Sequence, residues 1–212
     1  MTNWFKKDNY QEYRDRLFNA FPLTLKDDVE TVLDILPFDI NDVKLFGGQV
    51  HKVDNLINAN NWTVQLDSKP LTIPYRLYFN EPDKAKENKL TDTQKTILNC
   101  IYLRHHDGHV RQRRLEQQVD ANEYWVTPFT LQLLGEYVFE ILVVLDKHLT
   151  DQHLDNYVRF IKENPKYWKQ TDSRMISYWN EYYRGQYPKL KDYLGRQLAD
   201  RIKKRTHNIG LL

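Results

Sequence analysis

The stretch from Leu90 to Leu149 constrains the fold of this 212-residue chain more than any other. It runs Leu90-Thr91-Asp92-Thr93-Gln94, an apolar segment at helical spacing, Arg104-His105-His106-Asp107-Gly108-His109-Val110-Arg111, Trp125-Val126-Thr127-Pro128-Phe129, and a second apolar segment. That order predicts two helices divided by a corner rich in imidazole and guanidinium groups. Thr91 and Gln94 stand at capping-box spacing, and Ile97, Leu98, Ile101 and Tyr102 make the buried stripe of a helix ending near His105. Asp107-Gly108 supplies a turn, and Val110 to Val119 a short helix. Thr127 as N-cap, with Pro128 at the first helical position, opens a long helix in which Leu134, Val138, Ile141 and Leu145 share a face.

Upstream, two periods alternate. Helices are expected over Tyr10 to Phe21, ended by Pro22, and over Lys26 to Leu36, with Thr24 as N-cap and Pro37 as stop. From Gly47 the apolar spacing falls to two. Trp62, Val64 and Leu66, then Leu71, Ile73, Tyr75, Leu77 and Phe79, predict a hairpin with one buried face around Asp67-Ser68-Lys69-Pro70. Pro74 lacks a backbone donor and puts its strand at an edge or a bulge, and a third strand is expected near Gln49 to Ile57. The polar, lysine-rich segment Glu81 to Lys89 reads as a linker. Later helices are expected over Asp151 to Glu163, Asp172 to Arg184 and Pro188 to Lys204. The fold class is therefore α+β, predominantly α-helical. A small β-hairpin lobe (1–88) precedes a bundle or stack of antiparallel helices (89–212), the two packing as one compact unit.

Composition excludes several classes. Cys100 is the single cysteine, which rules out an internal disulfide and a cysteine-rich zinc site. Met1 to Lys7 lacks a secretory apolar run, and Gln132, Glu136 and Glu140 interrupt the longest apolar stretch, so no membrane span and a cytoplasmic location are expected. Neither a glycine-rich phosphate loop nor a nucleophile elbow occurs, and no cofactor is expected. The chain carries 14 Tyr and 5 Trp beside only 7 Gly, a surplus of rings that suits recognition surfaces as well as cores.

Three constellations carry candidate chemistry. His105, His106, Asp107 and His109 hold metal-ligating and acid/base atoms, but in no His-Glu-x-x-His order; their other role is a polar helix corner. Arg104, Arg111, Arg113 and Arg114 face a counterpart in Glu136 and Glu140, four apart and so expected on one side of a helix. Internal bracing by charge-paired hydrogen bonds is favoured for that set over a hydrolase site or an anion clamp. Between Val158 and Arg205, 13 lysines and arginines stand against five acids, among them Lys166, Lys169, Arg174, Arg184, Lys189, Arg196, Lys203 and Lys204. Interleaved with Trp168, Tyr178, Tyr182 and Tyr193, that balance fits a single-stranded nucleic-acid grip. Trp179, Tyr182 and Tyr183 recur with Met175 and Ile176 at helical spacing, which points to core.

Asp107-Gly108-His109-Val110-Arg111-Gln112-Arg113-Arg114-Leu115 resembles the second helix of a HEAT-type repeat. The resemblance implies a scaffold that binds proteins or nucleic acid on a helical surface. The wider set Pro74 to Phe79, Tyr102 to Arg111 and Gly135-Glu136-Tyr137-Val138 resembles an uncharacterised bacterial protein family, which implies no activity. Aromatic surplus without a convincing catalytic set leads to one functional expectation: a non-catalytic cytosolic protein that binds another protein, of which an immunity or antitoxin-type inhibitor is one form. Nucleic-acid binding through the basic helices is the alternative, and a hydrolase at the His/Arg/Glu corner the second.

Overall fold

A computed structural model describes residues 4–44 and 49–209, and shows a predominantly α-helical α+β fold with ten α-helices and two two-stranded antiparallel sheets among those residues. Gly47, where the two-residue period begins in the sequence, lies outside them. The chain divides into two compact units, one of residues 1–64 and 69–114, the other of residues 65–68 and 115–212. The division expected at 88/89 thus differs from the observed partition: the helix that starts at Asp92 packs on a helix near the amino terminus.

In the first unit, α1 (Trp4–Phe18) and α2 (Lys26–Leu33) pack together, and α2 packs on α4 (Asp92–Tyr102). α2 ends three residues earlier than expected, in turns whose amides reach three residues back. Thr24 is no cap; it lies in a 3-10 turn, and Leu25 precedes the helix without a side-chain bond. The core includes Leu17, Phe21, Val29, Val32, Leu33, Ile97, Leu98 and Ile101. α4 begins with the expected capping box: the Gln94 amide donates to Thr91 Oγ1 at 3.3 Å and the Thr91 amide to Gln94 Oε1 at 3.0 Å.

The strands are shorter than their periodicity. β1 (Asp42–Lys44) pairs with β2 (Val50–Lys52), and β3 (Asn61–Leu66) with β4 (Lys69–Pro74). Asp67 and Ser68, at φ 53° and 61°, make the two-residue turn between β3 and β4, both in the left-handed region a hairpin of this twist requires. β4 stops at Pro74 instead of running to Phe79. Leu77 leaves the strand and bridges Ile57 on one side and His105 on the other. The expected linker is structured as well. Asp83 caps α3 (Lys84–Glu87), accepting from the Ala85 amide at 2.7 Å, and Glu87 is buried.

In the second unit the single long helix expected after Thr127 is broken. α6 (Thr127–Leu131) follows a 3-10 turn and passes into another at 132–135; Glu136 and Val138 are extended on either side of a bend at Tyr137, and α7 (Phe139–His148) starts afresh. Val126, not Thr127, occupies the cap position, without a side-chain bond. α8 (Asp151–Glu163), α9 (Pro165–Tyr178) and α10 (Leu194–Ile209) follow, with α10 packed on α7, α8 and α9 around Leu145, Leu154, Phe160, Leu198 and Ile202. α9 starts seven residues before the expected Asp172, because Pro165 provides its first position, and passes at Trp179–Tyr183 into a π-helical turn.

Candidate functional site

The cationic corner is built inward. Arg104 is 1% exposed and Arg111 0%, and their guanidinium groups go to backbone carbonyls. Arg104 Nε donates to Pro74 O at 3.1 Å and its Nη2 to Tyr75 O, and Arg111 Nη1 donates to His105 O and His106 O at 2.6 and 2.9 Å. These donors hold the chain where it leaves β4 and where it turns from α4 into α5 (Gly108–Glu116), two places where backbone acceptors fall outside regular ladders.

His105 is fixed at both nitrogens. Nε2 donates to Phe79 O at 3.1 Å, and Nδ1 accepts from the Asp107 amide at 3.2 Å, which selects the neutral ring with its proton on Nε2. Burial, with His106 4.3 Å away ring to ring, pushes its pKa down to about 3. His106 stacks on Tyr78 at 5.5 Å, and Asp107 Oδ1 accepts from the His109 amide at 2.8 Å, capping α5. His109 itself is exposed on α5, away from a shared ligand set with His105. Among the described residues no group of three or more His, Cys, Asp or Glu is placed to hold a metal ion. A cleft of about 430 Å³ lies beside the corner, lined by Asn80, Glu81, His105, Asp107 and Val110, but His105 turns both nitrogens to backbone groups there.

The acids assigned to this corner need correction. Glu136 is buried in the extended segment and Glu140 is exposed in the first turn of α7, so the pair does not share one side of a helix. Arg113 and Arg114 meet acids from the supposed linker. Arg114, 2% exposed, donates from Nε to Glu81 Oε1 at 2.8 Å, from Nη1 to Glu87 Oε1 at 2.8 Å and Asn99 Oδ1 at 3.2 Å, and from Nη2 to Glu87 Oε2 at 3.2 Å. Its guanidinium carbon also lies 5.0 Å from the Tyr102 ring centre, and Arg113 pairs with the other oxygen of Glu81. Burial opposes the charge on Glu87, yet Arg114 and Lys84 outweigh it and hold the carboxyl below its ordinary range.

Much of the basic character of the last third is neutralised locally. Arg196 pairs with Asp200 and Asp172, Lys203 with Asp172 at 3.1 Å, Arg201 with Asp146 and Arg205 with Asp155. Lys203 lies 5.4 Å from the Trp168 ring centre and covers the aromatic face expected to stack on a base. Lys166, Lys169, Arg184, Lys189 and Lys204 are exposed; Arg174 is half-buried.

What faces outward is a tyrosine cluster. Tyr182 is 60% exposed and Tyr137 45%, so Tyr182 is not the core residue its spacing suggested. Tyr137, Tyr178 and Tyr182 form a triangle of rings with centres 6.0, 6.1 and 6.0 Å apart. Two features place them. Tyr137 stands at the bend between the 3-10 turn and α7, and Tyr178 and Tyr182 lie four residues apart where α9 passes into the π-helical turn, a spacing that keeps both on one side. Behind the triangle, Tyr183 donates to Tyr137 O and stacks on buried Tyr193 at 5.4 Å, which Phe139 and Tyr187 also contact. Only the sequence surplus of tyrosine hinted at this face, since Tyr137 lies far along the chain from the other two.

Gly195 supports the backing layer. A Cβ there would stand 2.7 Å from Tyr193 Cε1 and 3.0 Å from Met175 Cγ. Gly195→Ala is expected to lose about 1–3 kcal/mol in urea unfolding through overpacking, despite alanine's better helix propensity. A variant as stable as the parent would show that Tyr193 can yield freely.

No family model, curated protein or solved structure matches this chain.

Proposed function

We propose that this is a non-catalytic protein-binding protein whose partner docks on the face made by Tyr137, Tyr178 and Tyr182. One observation carries the reading: three tyrosines lie in mutual contact and two of them, Tyr137 and Tyr182, keep much of their surface in water, while His105, Arg104 and Arg111 bond to the backbone and Arg113 and Arg114 to Glu81 and Glu87. Tyrosine offers large rigid area with little rotamer freedom to lose, and such residues dominate binding energy at interface centres. An inhibitor of the immunity or antitoxin type is one form such a protein takes.

Affinity capture from the native lysate, with nuclease present, tests the reading. The parent should retain a protein in stoichiometric amount, and the double variant Tyr137→Ser, Tyr182→Ser should retain at least tenfold less, given that each anchoring tyrosine is worth about 2 kcal/mol. Equal capture by both, or no stoichiometric partner, rejects it. Nucleic acid is the second reading, supported by the exposed Lys166, Lys169, Arg184, Lys189 and Lys204. It requires retention on a mixed RNA and DNA pool at low salt that falls steeply as salt rises.

A further inference from the structure

We propose that His148 and His153 bind a borderline divalent metal ion of the zinc kind, with the carboxylate of Glu123 as a third ligand. The two imidazoles meet across the turn between α7 and α8, with ring centres 4.3 Å apart, and are only 1% and 5% exposed. Each is tied at Nδ1. His148 Nδ1 donates to Val119 O at 2.7 Å, and since a carbonyl only accepts, the neutral ring keeps a bare lone pair on Nε2. His153 Nδ1 lies 2.7 Å from Thr150 Oγ1, and its Nε2 is buried without a hydrogen-bond partner. Thr150 holds that ring although it stands at the N-cap of α8, where its side chain caps no amide.

Both rings line one narrow space, whose walls include Asn122, Glu123, Thr130 and Tyr157. Val119 and Thr150 do not border it, so each ring is held from outside and Nε2 is the nitrogen it has left to present there. Neighbouring polar groups are matched: Tyr157 donates to Thr130 Oγ1 at 2.5 Å and Asn156 to Asn122 O at 2.7 Å. A histidine whose second nitrogen is fixed by a protein oxygen is the ordinary form of a metal ligand. At this ring separation the space is too tight for a water molecule, which stands about 2.9 Å from a nitrogen it bonds, whereas zinc bonds imidazole at about 2.0–2.1 Å. Two imidazoles sharing such an ion at a tetrahedral angle have ring centres about 5 Å apart, so the pair has only to part by about 1 Å. Among the described residues no three donors are preformed; Glu123, exposed on the same wall, has to swing in, and water completes the set. Asp120, close enough to act on the charge of His148, favours a cation there, and Arg201, which donates to Leu149 O at 3.0 Å, is paired with Asp146.

The test is titration of the metal-free whole chain with zinc chloride at neutral pH in a non-coordinating buffer, followed by calorimetry and by imidazole nitrogen resonances, with magnesium chloride as the control. Zinc should bind as one equivalent at micromolar concentration and shift Nε2 of both His148 and His153 while each Nδ1 keeps its proton. Magnesium, which takes oxygen ligands, should shift neither. His148→Asn and His153→Asn keep a polar atom near Nδ1 but lose Nε2, and each should weaken zinc at least about tenfold; Thr150→Ala, which frees the His153 ring, should cost about tenfold and Glu123→Gln severalfold. His51→Asn and His109→Asn, at exposed positions, should bind zinc as the parent does. The resonances of the parent decide the matter even where a buried variant fails to fold. No heat and no shift at millimolar zinc would overturn the proposal, as would uptake that moves His51 or His109 and leaves His148 and His153 in place.

Discussion

Arg114→Ala is expected to destabilise the first unit by about 3–5 kcal/mol, the range for breaking one side of a buried ion pair. The reason lies in what the substitution strands. Glu87 is buried and receives two of Arg114's donors; without them only Lys84, at 3.0 Å and largely exposed, remains beside it. Asn99 and Glu81 lose a donor as well, and Tyr102 loses the cation over its ring. For a chain of this size the loss corresponds to a fall in Tm of roughly 10 °C. Arg114→Lys keeps the charge but not the fork of donors and should lie between alanine and the parent. The double variant Arg114→Met, Glu87→Gln should recover much of the loss, because removing both charges leaves neither carboxylate nor guanidinium buried alone. Urea unfolding of the four proteins gives the answer, and an alanine variant within 1 kcal/mol of the parent would show that the network contributes little.

Acid should weaken both units through buried neutral histidines. His148 Nδ1 donates to Val119 O at 2.7 Å, its ring centre is 4.3 Å from that of His153, and burial pushes its pKa down to about 4, with His153 lowering it further and Asp120 opposing. His105, in the other unit, is lowered to about 3. A histidine whose folded pKa lies below its unfolded value binds its proton more readily when unfolded, so stability is complete above about pH 6.5 and falls as the pH drops toward the folded value. At about 1.4 kcal/mol for each pH unit, His148 accounts for roughly 3 kcal/mol of loss between pH 6.5 and 4, and His105 for a similar or larger amount. The carboxylate of Glu87 acts lower, below its ordinary range near pH 4.5, so the window from 6.5 to 4.5 belongs to the histidines. His148→Asn keeps a donor near the Nδ1 position, and His105→Gln keeps one near Nε2. Each should flatten the profile of unfolding free energy between pH 7 and 4.5, and profiles parallel to the parent would refute the assignment.

How much of this was legible in the sequence depended on whether a local signal and the packing agreed. The capping box at Thr91 and Gln94 and the stripe through Ile97 and Ile101 depend on near neighbours and stand as read, and the hairpin forms with a tighter turn, at Asp67-Ser68 alone, and a shorter second strand than its alternation suggests. The helix expected from Phe129 to Leu145 does not, although its apolar period continues unbroken. Gly135 lies so near α9 that a Cβ would be 3.2 Å from Arg174 Cβ and 3.3 Å from Thr171 O, and the chain tightens into a 3-10 turn and then extends. That close approach is a property of the packed unit and has no counterpart in hydrophobic spacing. Glu81 and Glu87 were missed for the opposite reason: a polar, lysine-rich segment matches linker composition, and only a buried arginine from α5 makes its acids structural. The aromatic face was hidden because a π-helical turn shifts phase, so that Tyr182, which a 3.6-residue period assigns to the interior, stands in water.

That phase shift makes the display of Tyr178 and Tyr182 a matter of counting. A π-turn is an α-helix that has absorbed one extra residue, so deleting Asn180 or Glu181 would close the wide turn to the ordinary pitch and move Tyr182 one place nearer Tyr178 along the helix. Such a shortened protein would keep every ring of the parent and change the spacing between two of them, so length at this point, apart from residue identity, sets how Tyr178 and Tyr182 meet.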